Sequence, residues 1–279
     1  MNPMPAAPGP EGGPGSVLTA LFREAGRPLL MPYATGGFPD PAGCRRIIDT
    51  YLAAGADIVE LGIPFSDPVA DGPVIQASST RALQQGVRPA TVLELAAQAT
   101  AAGGRIVLLS YLNTILALTP ERFFAQCAAS GVLGVVIPDL PVEEAAELQA
   151  TAREWGVDVV LLAAPTSPDE RLERIARAAS GFLYCVSVTG VTGMRDRLRA
   201  DLPAFLGRLR RCTDLPLAVG FGISTPAQAV EVARVADGVI IGSRLVRLVQ
   251  EAGDLAGGLA DIARYLAEVR AAMAAAATR

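Results

Sequence analysis

Histidine is absent from the whole of this 279-residue sequence, and so is lysine: all 24 basic residues are arginine. Without His, neither a Ser-His-Asp triad nor the common imidazole metal sites can be assembled. Without Lys, no Schiff base forms on a side chain, which removes lysine-dependent aldolase chemistry. Any acid–base step is left to carboxylates, tyrosine or cysteine. Aromatics are scarce, so Ala, Leu, Val and Ile must fill the interior of a chain that is half hydrophobic. The longest apolar runs, such as residues 157–165, are too short to cross a bilayer. With a net charge of -4 and charges of both signs scattered, no basic stripe points to nucleic acid and no acidic tail to a disordered arm. Cys44, Cys127, Cys185 and Cys212 are widely spaced, without a CxxC pair. They read as buried free thiols, and no metal site is expected.

What is present is a regular alternation. Residues 1–16 lack the charged and apolar regions of a signal peptide and read as a flexible Pro/Gly-rich tail. Residues 17–25 carry a short helical pattern. Continuous apolar runs follow at 28–33, 57–61, 105–110, 134–137, 158–163, 182–187, 217–220 and 238–241, as expected of parallel strands covered on both faces. Helical patterns lie between them. Residues 41–54 begin with Pro41 after a capping Asp40 and stop at Gly55. Residues 142–155 place Glu143 and Glu144 in a first turn and stop at Gly156. Residues 168–179 follow Ser167, and 255–277 set Leu255, Leu259, Ile262, Leu266 and Val269 on one face. Eight β-then-α units in one domain, 17–279, predict a single (β/α)8 TIM barrel with an additional N-terminal helix. An open doubly wound sheet is the alternative. A soluble, cytoplasmic protein is expected.

In such a barrel, chemistry belongs at the C-terminal ends of the strands. The second unit reads DIVELGIPFSDPVADGPVIQ. Glu60 ends an apolar strand, where a carboxylate needs a partner or a raised pKa. Asp67 and Asp71 lie in the loop beyond; they could share acid and base roles with Glu60, or serve as turn formers before Pro68 and Gly72. A second constellation is rich in glycine and has no basic residue: Gly190-Val191-Thr192-Gly193, then Gly220-Phe221-Gly222-Ile223-Ser224, then Gly242-Ser243. Backbone N–H groups in these loops, and a helix starting at Ser243, would suit a phosphate. Tyr184, Tyr33 and Tyr111 read as core tyrosines on composition. Arg195, Arg197 and Arg199, alternating with Asp196 and Asp201, read as a solvated, mobile loop.

These motifs resemble those of the tryptophan synthase alpha subunit family. ELGIPFSDPVADGP (60–73) is similar to that family's signature. The resemblance continues through MPYATGGFPDP, LSYLN, PDLPVEEA, VTGVTG, GFGIS and GS, over roughly residues 17–275. It implies a (β/α)8 barrel and retro-aldol cleavage of indole-3-glycerol phosphate to indole and glyceraldehyde 3-phosphate. By this match Glu60 is the general acid/base that protonates the indole carbon bearing the glycerol chain. Asp71 takes the hydrogen bond of the indole N–H, and Tyr184 helps to position these groups. Thr192, Gly193, Gly222, Gly242 and Ser243 would hold the phosphate. Tyr33, Ile75, Leu109 and Phe221 would line the indole pocket; many family members carry Phe where Tyr33 stands. The loop 64–71, with Asp67, and surfaces near Asn113 and Asp139 would meet a beta subunit in an α2β2 assembly. No cofactor is implied for this chain, pyridoxal phosphate being expected only in the beta subunit.

The chemistry suits the composition. Once protonated, the indole accepts the electrons of the breaking bond, so neither lysine nor metal is required, and neutral backbone donors suffice for the phosphate. A stand-alone indole-glycerol phosphate lyase and a non-catalytic activator of a beta subunit are the rival readings. The joint presence of Glu60, Asp71 and Tyr184 argues against the activator.

Overall fold

The computed structural model describes residues 16–186, 192–220 and 222–277; for residues 192–200 and 277 only the backbone is described. Eight strands form, each within a few residues of its expected span: β1 (Leu29–Thr35), β2 (Val59–Gly62), β3 (Ile106–Leu109), β4 (Val132–Val136), β5 (Asp158–Ala163), β6 (Leu183–Val186), β7 (Leu217–Gly220) and β8 (Gly238–Ile241). They pair in parallel in chain order, and β8 returns to β1 with Leu29 opposite Gly238 and Pro32 opposite Ile241. That last pairing closes a (β/α)8 barrel and rules out the open sheet.

Helices cover the outside: α1 (Val17–Ala25), α2 (Pro41–Ala53), α3 (Pro73–Gln84), α4 (Pro89–Ala101), α5 (Leu112–Leu118), α6 (Pro120–Ala129), α7 (Ala145–Glu154), α8 (Asp169–Ala178), α9 (Thr192–Arg210), α10 (Pro226–Ala233), α11 (Ser243–Glu251) and α12 (Leu255–Ala277). Asp40 caps α2 as its sequence suggests, accepting from the Gly43 N–H at 2.7 Å, with Pro41 opening the helix. Two expectations are corrected. Residues 142–155 do not form one helix: Val142–Glu144 is a 3-10 turn, its Glu144 N–H bonded to the Pro141 carbonyl at 3.0 Å, and α7 starts at Ala145. The backbone through Arg195, Arg197 and Arg199 is helical rather than a loop. The period that decides it lies downstream, where Leu202, Phe205, Leu206 and Leu209 turn one face of α9 to the core.

Strand parity sorts the side chains. Val59, Leu61, Leu108, Val135, Val159 and Val219 point out and join the helices in the larger apolar cluster. Ile58, Val107, Leu109, Val136, Val160, Tyr184, Ala218 and Ile240 point into the lumen. The N-terminal helix plugs the bottom of that lumen. Leu18 of α1 sits so close over Gly134 that an added Cβ there would lie 2.7 Å from its Cδ1. Phe22 packs on Phe182 with ring centroids 5.4 Å apart, and the Thr19 hydroxyl donates to the Gly181 carbonyl at 2.8 Å. Beside the plug, Asp57 accepts from Arg27, from Arg270 of α12 and from the Leu30 N–H, at 2.7–3.1 Å. Burial pushes that carboxyl up, but the two guanidiniums and the amide outweigh it and hold it below the usual range. The last helix is thereby tied to the start of β2. Cys44, Cys127 and Cys185 are buried free thiols, as expected, and Cys212 is half-buried. Among the described residues no helix is long and apolar enough to cross a membrane.

Candidate active site

Glu60 takes the inward phase of β2, next to Tyr33 of β1 and Val107 of β3 in register, and is 2% exposed. Burial first, and then the charge of Asp71, push its carboxyl up to about 8. Its Oε1 has no hydrogen-bond partner among the described residues. A buried carboxyl oxygen left without a partner is costly, and such atoms mark places where a ligand completes the bonding.

Asp71 is delivered by the loop after β2. The Ile63 N–H extends the ladder by donating to the Leu109 carbonyl at 2.8 Å, and Pro64 then sends the chain out over the barrel mouth. The loop folds back on itself through Asp71 N–H to the Pro68 carbonyl (3.0 Å) and Gln76 Nε2 to the Asp71 carbonyl (2.9 Å). Burial raises the Asp71 carboxyl to about 6, and a hydrogen bond from the Tyr111 hydroxyl acts against that rise. Among the described residues no cation stands beside these two carboxyls in their low-dielectric site, and their ionisations are staggered. Near neutral pH Asp71 carries the charge and Glu60 keeps its proton.

Two tyrosines enclose Glu60. Tyr184 of β6 is buried across the lumen; burial raises its pKa, followed by the charges of Glu60, Tyr33 and Asp71. Its ring fits only because Gly220 of β7 has no side chain: a Cβ there would overlap the Tyr184 hydroxyl. Tyr33 uses Gly62 in the same way. The Tyr33 hydroxyl lies 3.3 Å from Thr35 Oγ1, which lies 2.7 Å from Ser78 Oγ, and Ser78 donates to the Ile75 carbonyl at 2.8 Å. This chain ties β1 to the first turns of α3. Gly242 borders the same space, a Cβ on it falling 3.6 Å from Tyr33 and 3.7 Å from Ile75. At the same end of the barrel, Gly222 has φ +77°, a left-handed backbone that suits glycine, and Ser243 opens α11. The first turn of α9 carries Thr192 and Gly193 to this end, after β6. Among the described residues no group of three or more Cys, Asp or Glu could hold a metal ion.

Residues 19–277 match the sequence model of the family described as "Tryptophan synthase alpha chain". The chain belongs to that family. It is 47% identical over 251 residues to the tryptophan synthase alpha chain of Roseiflexus sp. (strain RS-1), covering 88% of this chain and 96% of that one. The alpha chain of Trichormus variabilis is 49% identical over 249 residues, covering 88% and 92%. A tryptophan synthase structure from Mycobacterium tuberculosis superposes with a TM-score of 0.84 at 36% identity, over 92% of this chain and 98% of that chain. The tryptophan synthase a2b2 complex of Pyrococcus furiosus gives 0.82 at 36% identity, over 88% and 98%. The function is therefore that of the alpha subunit of tryptophan synthase, a lyase of tryptophan biosynthesis.

Of the family's expected site residues, Glu60, Asp71, Tyr184, Tyr33, Ile75 and Leu109 come together in and beside the inner apolar cluster of the barrel. Gly222, Gly242 and Ser243 stand at the same end, after β7 and β8. Phe221 lies outside the described residues, and of Thr192 only the backbone is described. Asp67 is exposed and accepts from the Ser66 hydroxyl at 2.6 Å. Asn113 is exposed on α5, while Asp139 is half-buried and accepts from the Leu112 N–H at 2.9 Å, satisfying the start of that helix. Sequence reasoning took Tyr111 for a core tyrosine and passed over Thr35 and Ser78. The position of Tyr111, two residues past β3, was the available signal. The Thr35–Ser78 contact spans 43 residues and leaves no local trace.

The fit of Tyr33 over Gly62 generates a direct expectation. Gly62→Ala must displace the tyrosine ring and lower stability by about 1–3 kcal/mol. Adding Tyr33→Leu to that variant should recover most of the loss. Chemical denaturation of the two single variants and the double variant reads the coupling; additive effects would separate the two residues.

Proposed function

We propose that this barrel cleaves indole-3-glycerol phosphate with Glu60 as the moving proton carrier and Asp71 as the fixed charge. The observation that carries this is the pair of carboxyls, one raised to about 8 with its Oε1 unpartnered among the described residues, the other raised to about 6. Neutral Glu60 gives its proton to the ring carbon that bears the glycerol chain. The resulting indolium is stabilised by the Asp71 carboxylate, which accepts the ring N–H. The carbinol hydroxyl then loses its proton to the Glu60 carboxylate just formed. The carbon–carbon bond breaks with its electron pair returning to the ring, giving indole and the aldehyde of glyceraldehyde 3-phosphate, with Glu60 protonated as at the start. Tyr184 packs beside Glu60 and orients it. Tyr33, Ile75, Leu109 and Phe221 wall the indole. Thr192, Gly193, Gly222, Gly242 and Ser243 receive the phosphate through backbone N–H groups and the start of α11. This chain requires no bound cofactor for the step, because the protonated ring takes up the electrons.

The product indole is apolar and uncharged, and direct transfer keeps it from escaping through membranes. The mouth of the barrel therefore docks on a pyridoxal-phosphate beta subunit in an α2β2 assembly, in the cytoplasm. The loop 64–71 with Asp67, and the surface at Asn113 and Asp139, form the docking face. Two exposed apolar side chains at that mouth support this reading: Val69 is 83% exposed and Leu116 of α5 is 53% exposed.

Glu60→Gln keeps size and hydrogen bonding but has no proton to give. It should lower indole release by roughly two orders of magnitude or more, with little change in binding of a non-cleavable analogue. Wild-type activity should follow a bell: it rises as Asp71 ionises near 6 and falls as Glu60 loses its proton near 8. Wild-type turnover in Glu60→Gln, or a flat profile between pH 5 and 9, would remove the pair from the mechanism.

For docking, Asp67→Ala should weaken mutual activation with a beta subunit more than it weakens basal cleavage. Titrating the variant against the beta subunit while following both activities decides the matter. Intact activation with a fall in basal cleavage alone would assign Asp67 to the active site instead.

A further inference from the structure

Tyr111 was read from the sequence as a core aromatic, and it is buried, at 1% exposure. Its surroundings are not those of an ordinary core ring. The ring stacks on Phe65, with centroids 5.0 Å apart and planes 21° from parallel, so it grips the outgoing arm of the loop 63–72. The hydroxyl accepts from the Ala70 N–H at 3.1 Å, gripping the returning arm. An amide can only donate, so the phenolic proton stays available to the neighbouring Asp71 carboxyl, next in the chain after Ala70, and it acts against the rise that burial causes there. Asp71's backbone N–H and carbonyl are both used by its own segment, on Pro68 and Gln76. Through Phe65 and Ala70, Tyr111 therefore holds the loop that carries Asp71 against the end of β3. Tyr111 is itself held: its carbonyl accepts from the Thr114 N–H at 3.0 Å, and the next residue, Leu112, donates its N–H to Asp139.

We propose that Tyr111 is a positioning residue for the cleavage reaction, fixing the Asp71 carboxylate at the barrel mouth as a hydrogen-bond acceptor and setting the register of the loop that carries it. The proposal rests on the assignment of Asp71 made above. A phenolic donor favours the charged form of its acceptor, so it preserves the anion that stabilises the indolium while burial works against it. The other ionisable groups facing Asp71 are Glu60 from β2, Tyr33 from β1 and Tyr184 from β6, with Asp139 beyond Tyr111. None of them is a cation, and neutral Glu60 is already assigned to proton transfer. Among the described residues Tyr111 is thus the group by which the fold holds the ionisation of Asp71 down.

The test compares Tyr111→Phe with the wild type by indole release across pH 5–9. The ring and its stack on Phe65 remain, and only the hydroxyl is lost. The acid limb of the kcat profile should move up by about one pH unit. At neutral pH kcat should fall about tenfold, while KM changes by less than about threefold. Replacing Tyr111 with 3-fluorotyrosine, a stronger donor in a folded protein, should move the same limb down. Phe65→Leu loosens the stack but keeps the hydroxyl, and should lower activity without moving the limb. An acid limb that stays in place in both Tyr111 variants overturns the proposal and leaves Tyr111 a packing residue. Asp71→Asn separates the two levels of the argument. If it retains the wild-type acid limb, the assignment of Asp71 itself fails, whatever Tyr111 does.

Discussion

Placing a carboxyl inside the lumen of a parallel barrel is the constraint around which the rest of this active site is organised. Strand parity leaves no choice about direction: with Val59 and Leu61 packed outward against the helices, Glu60 faces in. Burial then resists its ionisation, and a second carboxylate nearby resists it further. In many enzymes a lysine or histidine would relieve such a pair, and this chain has neither. What remains is to separate the two groups in ionisation. Asp71 receives a donor and Glu60 is left with an unpartnered oxygen, so the two reach neutral pH in different states. The proposed general-acid role of Glu60 rests on that separation.

The packing around the pair is correspondingly exact about size. Tyr33 and Tyr184 are bulky inward residues on β1 and β6, and each occupies space vacated by a glycine, Gly62 on β2 and Gly220 on β7. These glycines are needed for the absence of a side chain rather than for backbone freedom, in contrast to Gly222, whose left-handed φ is the requirement. Gly242 and the start of α11 follow β8, and Gly222 follows β7, the positions to which the proposed reading gives the phosphate.

The sequence made the architecture legible because parallel strands covered on both faces are continuous apolar runs, and all eight stood out. Caps such as Asp40-Pro41 and stops such as Gly55 and Gly156 are local signals and marked helix ends well. Glu60 was conspicuous because a charge in such a run is anomalous. The charged start of α9 was misread as a loop, since its deciding apolar face lies ten residues further on. The contacts that join distant segments were illegible for a related reason. Tyr111 meets Ala70 across 41 residues, and Asp139 serves the start of α5 across 27. Their partners are set by barrel closure rather than by any pattern in the chain.

Burial beside a charged Asp71 should keep Glu60 protonated at neutral pH. Carbon-13 carboxyl titration of glutamate-labelled protein, with the Glu60 signal assigned by its loss in Glu60→Gln, measures this without substrate or partner. The expected midpoint lies near 8, set by burial and by Asp71, and is lower in Asp71→Asn. A Glu60 signal that titrates near the ordinary 4.5, or one unmoved by Asp71→Asn, would contradict it.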